Sequence, residues 1–325
     1  MRWLPAVSRT ACRAAGVAAT IAALVALATL AACGGARSFG ISPQGVAFGL
    51  AAPRHIALDA RANSVAVRPS DGAVFITDDR TNTVLSSANG VAFTPYAALP
   101  VVADQPNALS QLTFSPSAEL FVARFGFGTA GAVFAVADRG TLYALSGPDP
   151  ARRRLGLASA GNGVLLSTWF VKNDAGPSQG GLSLLSYDAA TRTASERDLL
   201  TGLGKPVGVA VAGGTVFVSD QTGNRIVAAN LDQLLNAPQP LASVTTFAHV
   251  ESPDLLAVDA SGTLYTKCNK SGLCKIAPDG TVSVLADDFQ DARGVAVDTA
   301  RHKLYAIDRP ASKTSASDLR IFWLK

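Results

Sequence analysis

Three aspartates at matching places in a repeated pattern, Asp78, Asp220 and Asp308, are the side chains best placed for chemistry in this chain. Each ends a strand-like run, and Arg124, Thr168 and Cys268 end the corresponding runs elsewhere. Three carboxylates and a guanidinium around one rim can hold a polar ligand. They can also hold a divalent cation such as calcium or zinc, since a hard cation needs several convergent oxygen ligands. The same groups can equally tie the repeats together by accepting backbone N–H bonds and forming salt bridges. A second set is aromatic. Phe125 and Phe127 lie in one long glycine-containing loop, 125–131, and Trp169 and Phe170, with Lys172 and Asp174, open another, 169–181; a third spans 309–318. Insertions gathered on one face of a repeat array mark its binding face. These aromatics are therefore expected to be exposed, or alternatively to cap a channel or pack on each other. His249 near Glu251 and Asp254 permits an acid–base pair, against a solvated loop histidine. No Gly-x-Ser-x-Gly elbow, His-Glu-x-x-His or phosphate-binding glycine loop is present.

What positions these residues is a motif that recurs six times. Its clearest copy is Gly208-Val-Ala-Val-Ala-Gly-Gly-Thr-Val-Phe-Val-Ser-Asp220, and others occupy 64–78, 255–265 and 294–308, with weaker ones at 111–124 and 155–168. Phe75, Phe121, Leu165, Phe217, Tyr265 and Tyr305 mark equivalent positions, on average about 46 residues apart. Four short strands with their connections fill such a period. The expected fold is all-β, a six-bladed β-propeller of four-stranded antiparallel blades. Small residues in the middle of the first strand of each copy suit the crowded strands around a central channel. A strand candidate at 45–50 and the run Leu319-Arg-Ile-Phe-Trp-Leu324 are expected to complete one blade from both chain ends, removing exposed edges. Helical periodicity is nearly absent apart from 230–236.

Before Cys33 the chain carries Arg2, Arg9 and Arg13, then an uncharged stretch rich in Ala, Leu and Val that is short for a membrane span. It ends in Leu30-Ala31-Ala32-Cys33, which resembles the lipobox of bacterial lipoproteins. That resemblance implies a signal peptide over 1–32, cleavage before Cys33, acylation of its thiol and amine, and a short tether over 33–44. The domain would occupy 45–325. Gly34 after the cysteine favours, by similarity to enterobacterial sorting signals, the outer membrane facing the periplasm. Of 28 basic and 24 acidic residues, three basic and no acidic ones precede Cys33, so the remainder is about +1. Arg152-Arg153-Arg154 is then the only basic run, read as a solvated loop and too short for nucleic acid. Cys268 and Cys274 flank a Ser-Gly turn between two strand-like runs. They are expected to form a disulfide across the hairpin base, with a contribution near the low end of about 2–4 kcal/mol.

Lys205-Pro-Val-Gly-Val-Ala-Val, followed by Val-Phe-Val-Ser-Asp220-Gln-Thr-Gly-Asn224-Arg225-Ile226, resembles an NHL repeat. Asp78 with Asn82, and 294–308, keep parts of that pattern. NHL propellers share their architecture with the gluconolactonase and quinoprotein sugar dehydrogenase families. Gluconolactonase-type lactonases place a metal on a Glu of the first blade with Asn and Asp from later ones, and Asn63-Ser-Val-Ala-Val here has no such Glu. The leading expectation is a monomeric, lipid-anchored module that binds a protein or glycan through its long loops. A metal-dependent lactonase using Asp78, Asp220 and Asp308, and a quinone-dependent dehydrogenase, are the alternatives.

Overall fold

The computed structural model describes residues 52–324 other than 107, 138, 139, 174 and 175. The signal peptide, Cys33, the tether, the strand candidate at 45–50 and Asp174 lie outside the described residues. The first strand, β1 (Arg54–Ala57), belongs to the final sheet. Blade 1 contains β2 (Ala62–Val67), β3 (Val74–Asp78), β4 (Thr83–Ser87) and β5 (Thr94–Ala98). Blade 2 contains β6 (Leu109–Phe114), β7 (Leu120–Arg124), β8 (Ala132–Val136) and β9 (Leu142–Ala144). Blade 3 contains β10 (Arg153–Gly161), β11 (Val164–Val171), β12 (Gln179–Asp188) and β13 (Thr193–Leu203). Blade 4 contains β14 (Pro206–Ala212), β15 (Thr215–Asp220), β16 (Arg225–Asn230) and β17 (Thr245–His249). Blade 5 contains β18 (Ala257–Val258), β19 (Leu264–Cys268), β20 (Gly272–Ile276) and β21 (Val282–Ala286). Blade 6 contains β22 (Ala292–Asp298), β23 (Lys303–Asp308) and β24 (Asp318–Trp323), with β1 as its outer strand.

The fold is an all-β six-bladed propeller of four-stranded antiparallel blades. The inner strands β2, β6, β10, β14, β18 and β22 neighbour one another in that cyclic order. Six apolar clusters hold the ring, one at each blade junction. The second strand pushes a large side chain toward the next blade: Phe75 packs between blades 1 and 2, Phe217 between 4 and 5, Tyr305 between 6 and 1. A small residue faces each across the inner ladder, as in Ala66↔Phe75, Ala210↔Phe217, Ala257↔Tyr265 and Ala296↔Tyr305. Directly opposed residues share a sheet face, so the small partner makes room for the ring.

Blade 3 departs from the sequence alignment by one residue. Leu166, not Leu165, points forward to blade 4, and Leu165 points back to blade 2. A register shift between Ser159 and Gly161 inserts the extra residue at the hairpin. Trp169 therefore stands where Asp78 and Asp220 stand, and Thr168 lies one place earlier.

Ring closure joins an early strand to the last one as expected, β1 pairing with β24 with Arg54 opposite Ile321 and Ala57 opposite Asp318; the strand candidate at 45–50 lies outside the described residues. The short helix α1 (Leu231–Asn236) forms where expected, with Asn230 capping it through Gln233 N–H. Cys268 and Cys274 are disulfide-bonded, with Cα atoms 5.7 Å apart on β19 and β20.

Candidate functional site

Five of the inner strands carry a bulge at the same place, near where each enters the sheet: between Ala62 and Val65, Leu109 and Leu112, Arg154 and Leu157, Pro206 and Val209, and Ala292 and Val295. In three blades a hydroxyl on the second strand accepts the N–H that the bulge frees. Thr77 takes Ser64 N–H at 3.0 Å, Thr168 takes Gly156 N–H at 2.6 Å, and Ser219 takes Gly208 N–H at 2.7 Å. Bulges re-aim side chains and concentrate beside functional sites. Here they sit at the rim where second strands end and links between blades arrive. Lower down, the channel is crossed by Gln111, which donates to Leu256 O of the opposite blade at 3.3 Å and accepts from Leu157 N–H at 3.0 Å.

The strand-terminal aspartates are occupied by the fold. Asp78 accepts N–H bonds from Arg61 (2.7 Å) and Arg80 (3.0 Å). Asp220 takes Gly204 and Lys205 N–H (3.2 and 3.1 Å) and pairs with Arg225 at 3.2 Å. Asp308 takes Gln290 and Asp291 N–H (2.8 and 3.2 Å) and pairs with Arg320 at 2.5 Å. Each carboxylate pins the incoming link to its own blade. Arg124 does the same by donation to Ala130 O and Pro100 O. Thr168 is fully buried in the bulge, bonded to Gly156 N–H and Val207 O, and Cys268 is tied up in the disulfide. Among the described residues no group of three or more His, Cys, Asp or Glu could hold a metal ion.

The position facing the mouth is one residue further along. Asp79, Phe125, Gln221, Asn269 and Arg309 each follow a strand end, and each donates its N–H to a carbonyl of the preceding link at 2.8–3.0 Å. Asp79, Phe125 and Arg309 line a cavity of about 230 Å³ with Asn63, Ser110 and Phe127. Arg309 donates to Asp79 at 2.9 Å and to Asn63 Oδ1 at 2.8 Å, and Asp79 also takes Leu109 N–H at 3.0 Å. Ser110 Oγ is buried with no partner among the described residues. Burial pushes the Asp79 carboxyl up to about 6, against the opposing pull of Arg309 and the Leu109 N–H.

A pH dependence follows. The native state keeps the Asp79 proton to higher pH than the unfolded chain does. Its contribution to stability is therefore largest below about pH 4 and falls as pH rises through 6. Relative to Asp79→Asn, the wild-type protein should lose roughly 3 kcal/mol between about pH 4 and 7. Parallel stability–pH profiles of the two proteins would contradict this.

Phe125, Phe127 and Phe170 form one cluster, with ring centroids 5.0 Å apart for Phe125–Phe127 and 5.7 Å for Phe125–Phe170. The expected exposure is not what the structure has: Phe125 and Phe127 are half-buried and Phe170 is buried. Trp169 points the other way and is buried against Arg152, 3.9 Å from its guanidinium. The reason is that 169–171 and 179–181 are strand. Gly180 and Gly181 serve packing, since a Cβ would lie 2.4 Å from Pro206 and 2.2 Å from Leu200 O. Lys172, just past the end of β11, is exposed.

The arginine run is likewise not a solvated loop. Arg154 is fully buried and pairs with Glu196 at 2.7 Å; Arg152 bridges Glu196 (2.8 Å) and Asp198 (2.5 Å). Alternation along a strand sends Arg153 to the opposite face, over Phe127 at 4.9 Å and Phe125 at 5.4 Å. The histidines stay outside: His55, His249 and His302 are all exposed, and Asp254 pairs with Arg293 at 2.9 Å.

No family model and no curated protein matches the sequence. Solved structures do match in fold. A gluconolactonase from Xanthomonas campestris is 16% identical, with a TM-score of 0.64, over 84% of this chain and 90% of its own. Regucalcin, a calcium-binding protein from Agrobacterium tumefaciens, is 13% identical, with a TM-score of 0.59, over 83% and 94%. A PQQ-bound aldose sugar dehydrogenase from Streptomyces coelicolor is 11% identical, with a TM-score of 0.60, over 83% and 98%. Such distant likenesses establish the six-bladed architecture, which hosts lactonases, lyases and sugar dehydrogenases alike.

Proposed function

We propose that this chain is a binding module of the bacterial cell envelope, anchored by lipid at Cys33, that takes a glycan or protein ligand at the channel mouth. The observation that carries this reading is the half-buried Phe125–Phe127 ledge beside a cavity, on a rim whose strand-end carboxylates are consumed by the fold. An aromatic ledge beside fixed polar groups suits a ligand that is part apolar and part polar, such as a peptidoglycan fragment. The amino-terminal pattern ending in Leu30-Ala31-Ala32-Cys33 supports the anchor.

Titration of the purified protein with peptidoglycan fragments and envelope glycans tests it. Phe127→Ala should weaken the best ligand about tenfold, as expected for a lost aromatic contact of about 1.4 kcal/mol. Equal binding by this variant would remove the ledge from the site.

One observation favours a second reading, a hydrolase or lactonase. A buried carboxyl near 6 that shares a cavity with a hydroxyl having no partner among the described residues is suited to acid–base chemistry. It would act through Asp79 rather than through a metal on Asp78, Asp220 and Asp308. Lactone turnover abolished by Asp79→Asn would put this reading first.

A further inference from the structure

Six cationic side chains gather around the mouth: Arg61, Arg153, Lys205, Lys267, Arg293 and Arg309. They act on one another and on three carboxylates, Asp79, Asp254 and Asp291. Three of the six are matched. Arg309 pairs with Asp79 at 2.9 Å, Lys267 with Asp291 at 2.5 Å, and Arg293 with both Asp254 (2.9 Å) and Asp291 (2.7 Å). Arg61 donates to the carbonyls of Pro310 and Ser312.

Lys205 and Arg153 remain. Lys205 Nζ donates to Gln221 Oε1 at 2.7 Å and has no carboxylate partner among the described residues. It is half-buried; burial first, then the charges of Arg293, Lys267 and Arg153, hold its pKa down against the pull of Asp254. The Arg153 side chain has no hydrogen bond to any described residue. Its guanidinium lies over three phenylalanine rings, 4.9 Å from Phe127, 5.4 Å from Phe125 and 5.7 Å from Phe170. Lys205 Nζ lies 6.0 Å from the same Phe170 ring. These two cations thus both approach one aromatic ring, at 5.7 and 6.0 Å.

We propose that the mouth binds an oxyanion, carboxylate or phosphate, of at least two charges, through Arg153 and Lys205. This rests on the binding-module reading of the same site and supplies the chemistry of its ligand. A guanidinium held among aromatic rings, with no side-chain hydrogen bond spent, keeps its N–H fork free for the bidentate geometry that carboxylate and phosphate accept. Lys205 adds a point charge near the same Phe170 ring. The excess of cations over carboxylates in a partly desolvated mouth concentrates anions there.

Calorimetric titration of the full-length protein with citrate and with inorganic phosphate tests this. Binding should be seen for at least one probe, and which one identifies the source chemistry. Arg153→Gln and Lys205→Met should each weaken it at least about tenfold. Arg153→Lys, which keeps the charge without the fork, should fall between. Arg197→Gln, on the exposed outer strand β13, should leave it unchanged. Binding should also drop steeply with added salt. No binding of either probe at about 10 mM, or wild-type affinity in both Arg153→Gln and Lys205→Met, overturns the proposal. Neutral glycans that bind while both anions fail would keep the module and discard the anion. Melting curves matching wild type confirm that the variants are folded.

Discussion

Glu196→Ala should cost about 3–5 kcal/mol of folding stability, the largest loss expected from any single side chain described above. Glu196 Oε2 accepts from Arg154 Nη2 at 2.7 Å and from Asp149 N–H at 2.7 Å, while Oε1 accepts from Arg152 at 2.8 Å. Arg154 is completely buried, and its Nε and Nη1 have no partner among the described residues. Without Glu196 that guanidinium would keep only the Asp149 carbonyl. A buried charge stripped of its counter-ion is far more costly than the ion pair was favourable. Burial pushes the Glu196 carboxyl up, but Arg154, the Asp149 N–H and Arg152 together outweigh it and leave the pKa below the usual value. The pair's contribution is accordingly present at neutral pH and is lost as pH falls through that depressed value. Replacing both partners, Arg154→Met with Glu196→Leu, should recover most of the loss. Urea denaturation decides it: a decrease below about 1 kcal/mol for Glu196→Ala would mean that the network is solvated.

Gly208→Ala should come next, at about 3 kcal/mol or more. A Cβ there would stand 2.5 Å from Leu256 N, 2.6 Å from Asp254 O and 2.8 Å from Leu255 Cα, all backbone of blade 5. Nothing flexible can yield, so the seam between blades 4 and 5 must open. Opening it would also break the Ser219 hydroxyl bridge between Gly208 N–H and Asp254 O, both 2.7 Å. Gly213→Ala is the comparison. Gly213 has open space and a φ of 54°, so only the left-handed backbone is penalised, by about 1–2 kcal/mol. If the two variants melt together, close approach is not what requires Gly208.

The propeller was legible because its signal is cumulative. Six copies of one strand–turn–strand pattern fixed the blade number even where single copies were weak, as at 111–124. Blade 3 escaped by one residue because an extra residue at a hairpin leaves composition almost untouched while reversing every side chain beyond it. That slip hid the burial of Trp169 and misplaced Thr168. The candidate site was missed more narrowly. The repeat demands one carboxylate at Asp78, and the adjacent Asp79 exceeds that demand. The signal was the doubled aspartate itself, together with the variety (Asp, Phe, Gln, Asn, Arg) that follows the strand ends. Arg152, Arg153 and Arg154 were unreadable as a run, because their meaning depends on strand alternation and on acids more than forty residues away.

The seam through blade 6 has a kinetic consequence. Among the described residues β1 precedes every other strand and β24 follows every other, yet they share one ladder, and Ile56 and Leu58 complete the core between blades 6 and 1. The other blades are chain-local hairpins that can assemble in sequence as the chain emerges. The ring itself stays open until Leu319 and Ile321 arrive. Because loop-closure entropy grows only logarithmically with length, this late join costs little stability. Its toll falls on rate, since long-range pairing slows folding and leaves strand edges bare meanwhile. Until that join forms, the chain is an open arc of blades with two adhesive ends. Two such chains held close together could exchange their first strands, each closing the other's ring.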